Sequence, residues 1–268
     1  MTEPRHILSL SGGKDSAALA LYMRDRVQNM EYIFNDTGKE LPETYEYLDR
    51  IGDYLGRPIK RLNADKGFDH WYAVYGGMIP SSNRRWCTKQ LKLKPFEEYV
   101  GSTKVFNYIG IRADEDRQGY VSTKPNISPV YPFIEDRLVY ADIVRILHQS
   151  GVGMPPYTRW GRTRSGCFFC FYQQKVEWVR LLETYPDLFD EAAAYEKEFA
   201  PTGNLFTWSN GETLEDLRRP ERIEQIKIDA QKRASRQGNK RDNLSLADVF
   251  RGELRPVEDE TGCVICTV

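Results

Sequence analysis

The sequence predicts an α/β fold: an open, mainly parallel sheet with helices on both faces, followed by a helical C-terminal part. Three observations lead there. Strand-like and helix-like apolar patterns alternate from Ile7 to about Ser150. A knot of Ser, Gly, Lys and Asp, SGGKDS, joins the first strand pattern to the first helix pattern. Beyond Gly151 the alternation stops and helical patterns separated by loops take over.

The elements follow in order. HILSLS reads as the first strand, and Ser16 to Arg26 as a helix whose apolar face carries Ala17, Leu19, Ala20, Leu21 and Met23. EYIFND is the second strand. LPETYEYLDRIGDYLG is the second helix, with Pro42 suited to its first turn and Gly56 to its end. PIKRLN is a third strand, TKVFNYIGIR a fourth and ADIVRILHQSG a helix. MPPYTRWGRTRSGCFFCF reads as loop, and two helical patterns then run from Lys175 to Ala200. The expected division is an α/β domain carrying the SGGKDS knot over residues 1–150, a cysteine-containing loop and helical region over 151–250, and a tail with C-x-x-C over 251–268.

With 268 residues and 40% apolar residues the chain can build a large core. The balance of 38 Lys and Arg against 39 Asp and Glu argues against a generally basic nucleic-acid coat but leaves room for local patches. Two such patches stand out: SSNRRWCTKQLKLK, which contains Arg84 and Arg85, and residues 218–241, with nine Lys/Arg against three Asp/Glu. With Trp86 and the aromatics of FFCFY they suit either a nucleic-acid acceptor or the anionic group of a small nucleotide; the second run equally suits a solvated helix face. No stretch is apolar enough to span a membrane and MTEPRH lacks the core of a signal peptide, so a cytoplasmic protein with reduced cysteines is expected.

The SGGKDS knot has a chemical reading. Strand ends of parallel sheets collect ligands. Gly12 and Gly13 let the backbone turn and approach closely, the amides at the helix start favour an anion, and Lys14 adds charge for a terminal phosphate. It is no Walker A loop, since Leu8 stands where the first glycine belongs and Asp15 where Ser or Thr should follow the lysine. Asp15, Asp36 and Glu43 are the carboxylates nearest this loop in the pattern. Asp15 or Asp36 is the expected magnesium ligand, with helix capping as the alternative for Asp15. Arg112, just beyond the fourth strand, can grip phosphate or pair with Asp114 or Glu115. Phe34 either borders a base or fills the core.

These motifs together resemble the PP-loop ATP pyrophosphatases, and within them the 3′-phosphoadenylylsulfate (PAPS) reductase, or CysH-like, family, which includes DndC-like phosphorothioation proteins. The resemblance rests on SGGKDS, NDTGKELPETYEYL, WCTKQLKLKP, YIGIRADEDR and RSGCFFCF, in that order from about Ile7 to Phe199. It implies an adenine nucleotide alpha-hydrolase-like sheet. It also implies a nucleotide site made of Ser9, Ser11, Gly12, Gly13, Lys14, Asp15, Ser16, Asp36, Thr37, Gly38, Glu43 and Arg112, with Lys14, Asp15 and Arg112 acting in catalysis. Lys14 favours ATP with Mg2+, cleaved between its α and β phosphates to adenylylate an acceptor for sulfur transfer. The alternatives are a sulfonucleotide reductase fed by thioredoxin, or an accessory nucleotide-binding protein of a phage, mobile-element or defence system. An adenylylating enzyme of this kind would take sulfur from a donor protein.

The cysteines add a metal question. Cys167 and Cys170 form one C-x-x-C, Cys263 and Cys266 another, and Cys87 stands alone. Two such pairs can bind zinc, but 92 residues separate them, and His6, His70 and His148 lie near no cysteine. The resemblance implies an iron–sulfur cluster of the 4Fe–4S type on Cys87, Cys167 and Cys170, Trp86 replacing the first cysteine of the reductases' pair. Cys263 and Cys266 are open to three readings: a fourth ligand, a redox or relay pair, or a buried apolar pair.

Overall fold

The computed structural model describes residues 3–63, 65–116, 122, 124–199, 204–209 and 211–242. Its centre is a sheet of five strands, all parallel, in the order β3-β2-β1-β4-β5. The strands are β1 (Arg5–Leu10), β2 (Met30–Asp36), β3 (Ile59–Asn63), β4 (Val105–Tyr108) and β5 (Ile127–Val130). Leu10 lies opposite Phe34 and Leu8 opposite Tyr108, so β1, β2 and β4 release their chains at the same edge of the sheet.

Alternation within β1 sorts the two faces. Leu8 and Leu10, with Tyr32, Phe34 and Tyr108, pack on helices α1 (Lys14–Met23) and α2 (Pro42–Leu55) and on Ile143 and Leu147 of a later helix. Ile7, Ile33, Leu62, Val105 and Ile127 face the other way, onto Phe96 and Val100. The order of these helices along the chain is α3 (Phe68–Val74), α4 (Trp86–Thr88), a π-helical turn over Lys89–Leu93 and α5 (Lys94–Val100). After the sheet closes come α6 (Pro132–Glu135) and α7 (Tyr140–Gln149), which packs on α1, then a 3₁₀ turn over Pro156–Trp160. The C-terminal part holds α8 (Lys175–Thr184), α9 (Pro186–Ala193), a two-stranded ribbon of β6 (Glu198–Phe199) and β7 (Asn204–Leu205), α10 (Leu214–Leu217) and α11 (Pro220–Asp242).

Several expectations shift. The first helix starts at Lys14 rather than Ser16, because Gly13 supplies the extended N-cap residue. The fourth strand stops at Tyr108, and Ile109–Arg112 leaves the sheet towards the site. The pattern from Lys175 to Ala200 is helical only to Ala193: Pro186 divides it into two helices and Glu198–Phe199 pairs as a strand. The basic segment around Cys87 is helical. Phe34 is core, edge-on to Tyr45 at 6.1 Å.

A second apolar core joins sequence-distant parts. Phe68, Ile79, Trp86 and Leu91 pack with Phe168, Phe169, Trp178, Phe189 and Trp208, across the expected boundary at residue 151. Phe169 lies 4.5 Å from Phe68 and stacks on Trp208 at 5.0 Å between ring centroids. Such aromatic pairs add about 0.5–1.5 kcal/mol each beyond their buried area. This core holds the Ser165–Cys170 loop over the sheet edge. No helix among the described residues is long and apolar enough to cross a membrane.

Candidate active site

Four segments meet at the C-terminal edge of the sheet: the loop after β1, Asn35–Glu40 after β2, Ile109–Glu115 after β4, and the Arg162–Cys170 loop. Gly12 turns the first of them with φ +72°, a conformation that costs an L side chain about 1–2 kcal/mol. A Cβ there would stand 2.5 Å from Thr44 Cγ2 on α2. Ser16 Oγ donates to the Gly13 carbonyl at 3.1 Å and accepts from Ser11 N–H at 3.1 Å, which fastens the loop to the first turn of α1. Ser165 Oγ donates to Ser11 Oγ at 3.3 Å from above. The amides expected to form an anion cradle are therefore partly engaged: Ser11 N–H on Ser16, Gly13 N–H on Ser11 Oγ at 3.4 Å, and Lys14 N–H on the Tyr157 hydroxyl.

The charges converge on Asp15. Its Oδ2 accepts from Lys14 Nζ at 3.1 Å and its Oδ1 from Arg112 Nη1 at 2.9 Å. Burial pushes the Asp15 carboxyl up, but Lys14 and Arg112 together outweigh that and hold it below the usual carboxylate range. Arg112 is 4% exposed and also meets Asp114 at 3.0 Å and Glu115 at 2.8 Å. Both readings of Arg112 therefore involve the same side chain: it is ion-paired as foreseen, and one of its partners is the loop's own aspartate. Lys14 Nζ and the Arg112 guanidinium lie 5.7 and 5.5 Å from the centroid of the Tyr140 ring. Gly110 makes this approach feasible, since a Cβ on it would stand 3.1 Å from the Asp15 carbonyl oxygen.

The other expected residues divide. Asp36 Oδ1 accepts from Gly38 N–H and from the Tyr45 hydroxyl, both at 2.8 Å. Glu43 accepts from Trp160 Nε1 at 2.8 Å, which ties α2 to the 3₁₀ turn. Ser9, next to last in β1, has its Oγ buried and unpartnered. Asp15 does not cap α1, because Gly13 is the N-cap residue and Asp15 sits in the first turn with both oxygens on cations. Both oxygens of Asp15 are thus ion-paired. Asp36 is the other carboxylate expected to hold magnesium, an ion that needs only one or two protein carboxylates beside substrate phosphates.

Thr37 belongs to a second cluster. Its Oγ1 donates to Glu40 Oε1 at 3.1 Å and lies 3.2 Å from Cys167 Sγ. Phe168 N–H donates to the Lys39 carbonyl at 2.8 Å and pins the two loops together. Burial raises the Glu40 carboxyl against the pull of Lys92 and Arg162, and burial with Glu40 nearby raises the Cys167 thiol well above its ordinary value. Cys170 is near enough to add to that rise, and Cys87 borders the same core as Cys167, yet no three His, Cys, Asp or Glu side chains among the described residues gather as a metal-ligand set. Among the described residues the three cysteines are therefore not drawn together as a ligand set for a cluster or a zinc ion. Cys263 and Cys266 lie outside the described residues.

Residues 5–170 match the phosphoadenosine phosphosulfate reductase domain. The chain belongs to that family. Its fold is that of a PAPS reductase from Candida auris, determined as a phosphate complex: the TM-score is 0.51 at 16% identity, over 62% of this chain and 82% of that one. Among relatives in sequence, an uncharacterized protein of Methanocaldococcus jannaschii is 27% identical over 71% of this chain and 47% of its own length. A second from the same archaeon is 25% identical over 74% and 43%. The chain thus spans less than half of either archaeal relative. An uncharacterized 37.8 kDa protein of Escherichia phage 186 is 23% identical over 84% of both chains.

Within this PAPS reductase-family chain, Ser165, Gly110, Tyr157, Thr44 and Trp160 all shape the site without having been singled out. Ser165 sits in RTRSGC beside the conspicuous cysteine, and nothing local in the sequence ties it to Ser11. Gly110 is the one with a visible signal, a glycine directly after a strand pattern.

Proposed function

We propose that the chain binds ATP with magnesium at the loop after β1 and cleaves it between the α and β phosphates, transferring the adenylyl group to an acceptor that is thereby activated for sulfur insertion. The observation that carries the reading is the Lys14–Asp15–Arg112 chain at the N-terminal end of α1, in which Asp15 fixes the lysine beside an arginine that Asp114 and Glu115 also hold. A triphosphate brings its largest charge to such a place, and the charge that grows on departing pyrophosphate is what fixed cations stabilise. An acceptor oxygen attacks the α phosphorus, the bond to the bridging oxygen breaks, and pyrophosphate leaves carrying that electron pair.

Lys14 neutralises the terminal phosphates, Arg112 holds the Asp15 carboxylate and with it the lysine, and the positive end of the α1 dipole faces the anion. Asp36 would hold the magnesium that arrives with the triphosphate, and that ion would supply charge to offset the leaving group's. The test is to incubate the chain with magnesium and ATP and follow AMP and pyrophosphate, in parallel with thioredoxin-dependent sulfite release from PAPS. Pyrophosphate is expected, with AMP formed where water takes the adenylyl group in place of the acceptor. Sulfite release without ATP turnover would make the protein a sulfonucleotide reductase.

A further inference from the structure

The loop after β2 carries a buried carboxylate for which the nucleotide site has no use. Glu40 is 7% exposed, and its Oε2 has no hydrogen-bond partner. A dry carboxylate oxygen left without a partner is destabilising, so Glu40 is a costly choice as a purely structural group. Its Oε1 accepts from Thr37 Oγ1 at 3.1 Å and faces Cys167 Sγ at 3.9 Å. A hydroxyl has one proton to give, so in the 3.2 Å contact between Thr37 Oγ1 and Cys167 Sγ the thiol is the donor. A proton path therefore runs from Cys167 through Thr37 to the carboxylate.

Cys170 supplies a second sulfur. Its N–H donates to the Cys167 carbonyl at 3.0 Å and closes a turn over Phe168 and Phe169. Such a turn holds its end Cα atoms within about 7 Å, and a disulfide spans about 4.4–6.8 Å between Cα atoms. The turn is fixed in place, because both phenylalanines are 2% exposed in the aromatic core and Arg162 Nη2 donates to the Cys167 carbonyl at 2.6 Å.

We propose that Cys167 and Cys170 are a dithiol–disulfide pair that exchanges with small-molecule disulfides, with Glu40 taking the Cys167 proton through Thr37. The Cys167 proton is committed to Thr37, so the Cys170 thiolate attacks first. The S–S bond of the small disulfide breaks, and one of its thiolates leaves with the electron pair. Cys167, its proton passed to Glu40, then attacks the Cys170 sulfur of the mixed disulfide. The second thiolate leaves with that electron pair and the Cys167–Cys170 bond forms. The protein dithiol loses two electrons; the small disulfide gains them and, with the protons of the two cysteines, becomes two thiols. This site does not rest on the adenylyl-transfer reading.

The experiment mixes the reduced full chain with glutathione disulfide, quenches by alkylation at intervals and maps the cysteines by peptide mass spectrometry. A Cys167–Cys170 disulfide is expected in the wild type, and Cys167→Ser should instead hold glutathione on Cys170. Glu40→Gln should slow closure of the disulfide by roughly 10²-fold, while glutathione loading of Cys170 in the Cys167→Ser background stays as fast with Glu40→Gln as without it. Thr37→Val should slow closure as well and Thr37→Ser should restore it, which decides the matter if Glu40→Gln does not fold. No disulfide between Cys167 and Cys170, or a bond from either to Cys87, Cys263 or Cys266 in its place, would overturn the proposal. So would closure at the wild-type rate in both Glu40→Gln and Thr37→Val, or iron held by this pair in protein purified without air.

Discussion

Replacing Gly12 by alanine tests how the phosphate loop is held. Gly12 has φ +72°, which costs an alanine about 1–2 kcal/mol. The new methyl would also stand 2.5 Å from Thr44 Cγ2, on a threonine that is 2% exposed and has no open space to swing into. Overpacking of this kind costs about 1–3 kcal/mol. The two together give about 3 kcal/mol, which in a chain of this size lowers Tm by roughly 6–12 °C. The second contribution can be removed separately, because Thr44→Ser deletes Cγ2 and keeps the hydroxyl. In a double-mutant cycle read by denaturant unfolding, Gly12→Ala with Thr44→Ser should be more stable than the sum of the single changes by about 1–2 kcal/mol, outside the 0.3–0.5 kcal/mol expected of independent sites. Additive single changes would mean that α2 does not press on the loop as described, and the reasoning about this junction would fail.

Arg112→Met removes the guanidinium from Asp15, Asp114 and Glu115 and strands their charges, so unfolding experiments should show a loss of about 3 kcal/mol; a loss below 1 kcal/mol would contradict the buried cluster. Gly110→Ala should push on the Asp15 carbonyl, costing about 1–3 kcal/mol and weakening ATP binding, which calorimetry would read. Cys167 should resist alkylation at pH 8, by peptide mass spectrometry, because its raised pKa keeps the thiol protonated; rapid modification there would refute the buried Thr37–Glu40 setting. The same shift has a stability sign. The folded state holds this proton more tightly than the unfolded chain, so the contribution is full below the ordinary thiol pKa and is lost as pH climbs from there through the folded value. Cys167→Ala should flatten that alkaline decline in a urea titration.

Local patterns carried most of the sheet into view. β1, the glycine-rich junction and α1 were legible because a strand that ends in Gly-Gly before an apolar helix has few other uses, and α2 because Pro42 and Gly56 punctuate it. β5 was hidden: it is four residues long and contains Pro129, tolerable because β5 is an edge strand. The run through α4 and α5 read as a basic segment containing a proline. The π-helical turn over Lys89–Leu93 lies just ahead of Pro95, where widened backbone spacing eases the missing N–H and the ring. At the site, Lys14, Asp15 and Arg112 were legible as types at a strand end, but their union through one carboxylate depends on Gly110 letting two segments touch. The Ser165 and Tyr157 contacts arise from the aromatic core around Phe68 and Phe169, which draws on residues more than a hundred positions apart and leaves no periodic trace.

The central claim is that the loop after β1 holds a triphosphate through Lys14, and binding by calorimetry tests it most directly. Dissociation constants for ATP, AMP and PAPS, with magnesium present, should be measured for the wild type and for Lys14→Met. The account predicts that the wild type prefers ATP to both AMP and PAPS and that Lys14→Met loses the preference over AMP while still folding. Equal ATP affinity in the two proteins, or a wild type that prefers PAPS, would contradict it.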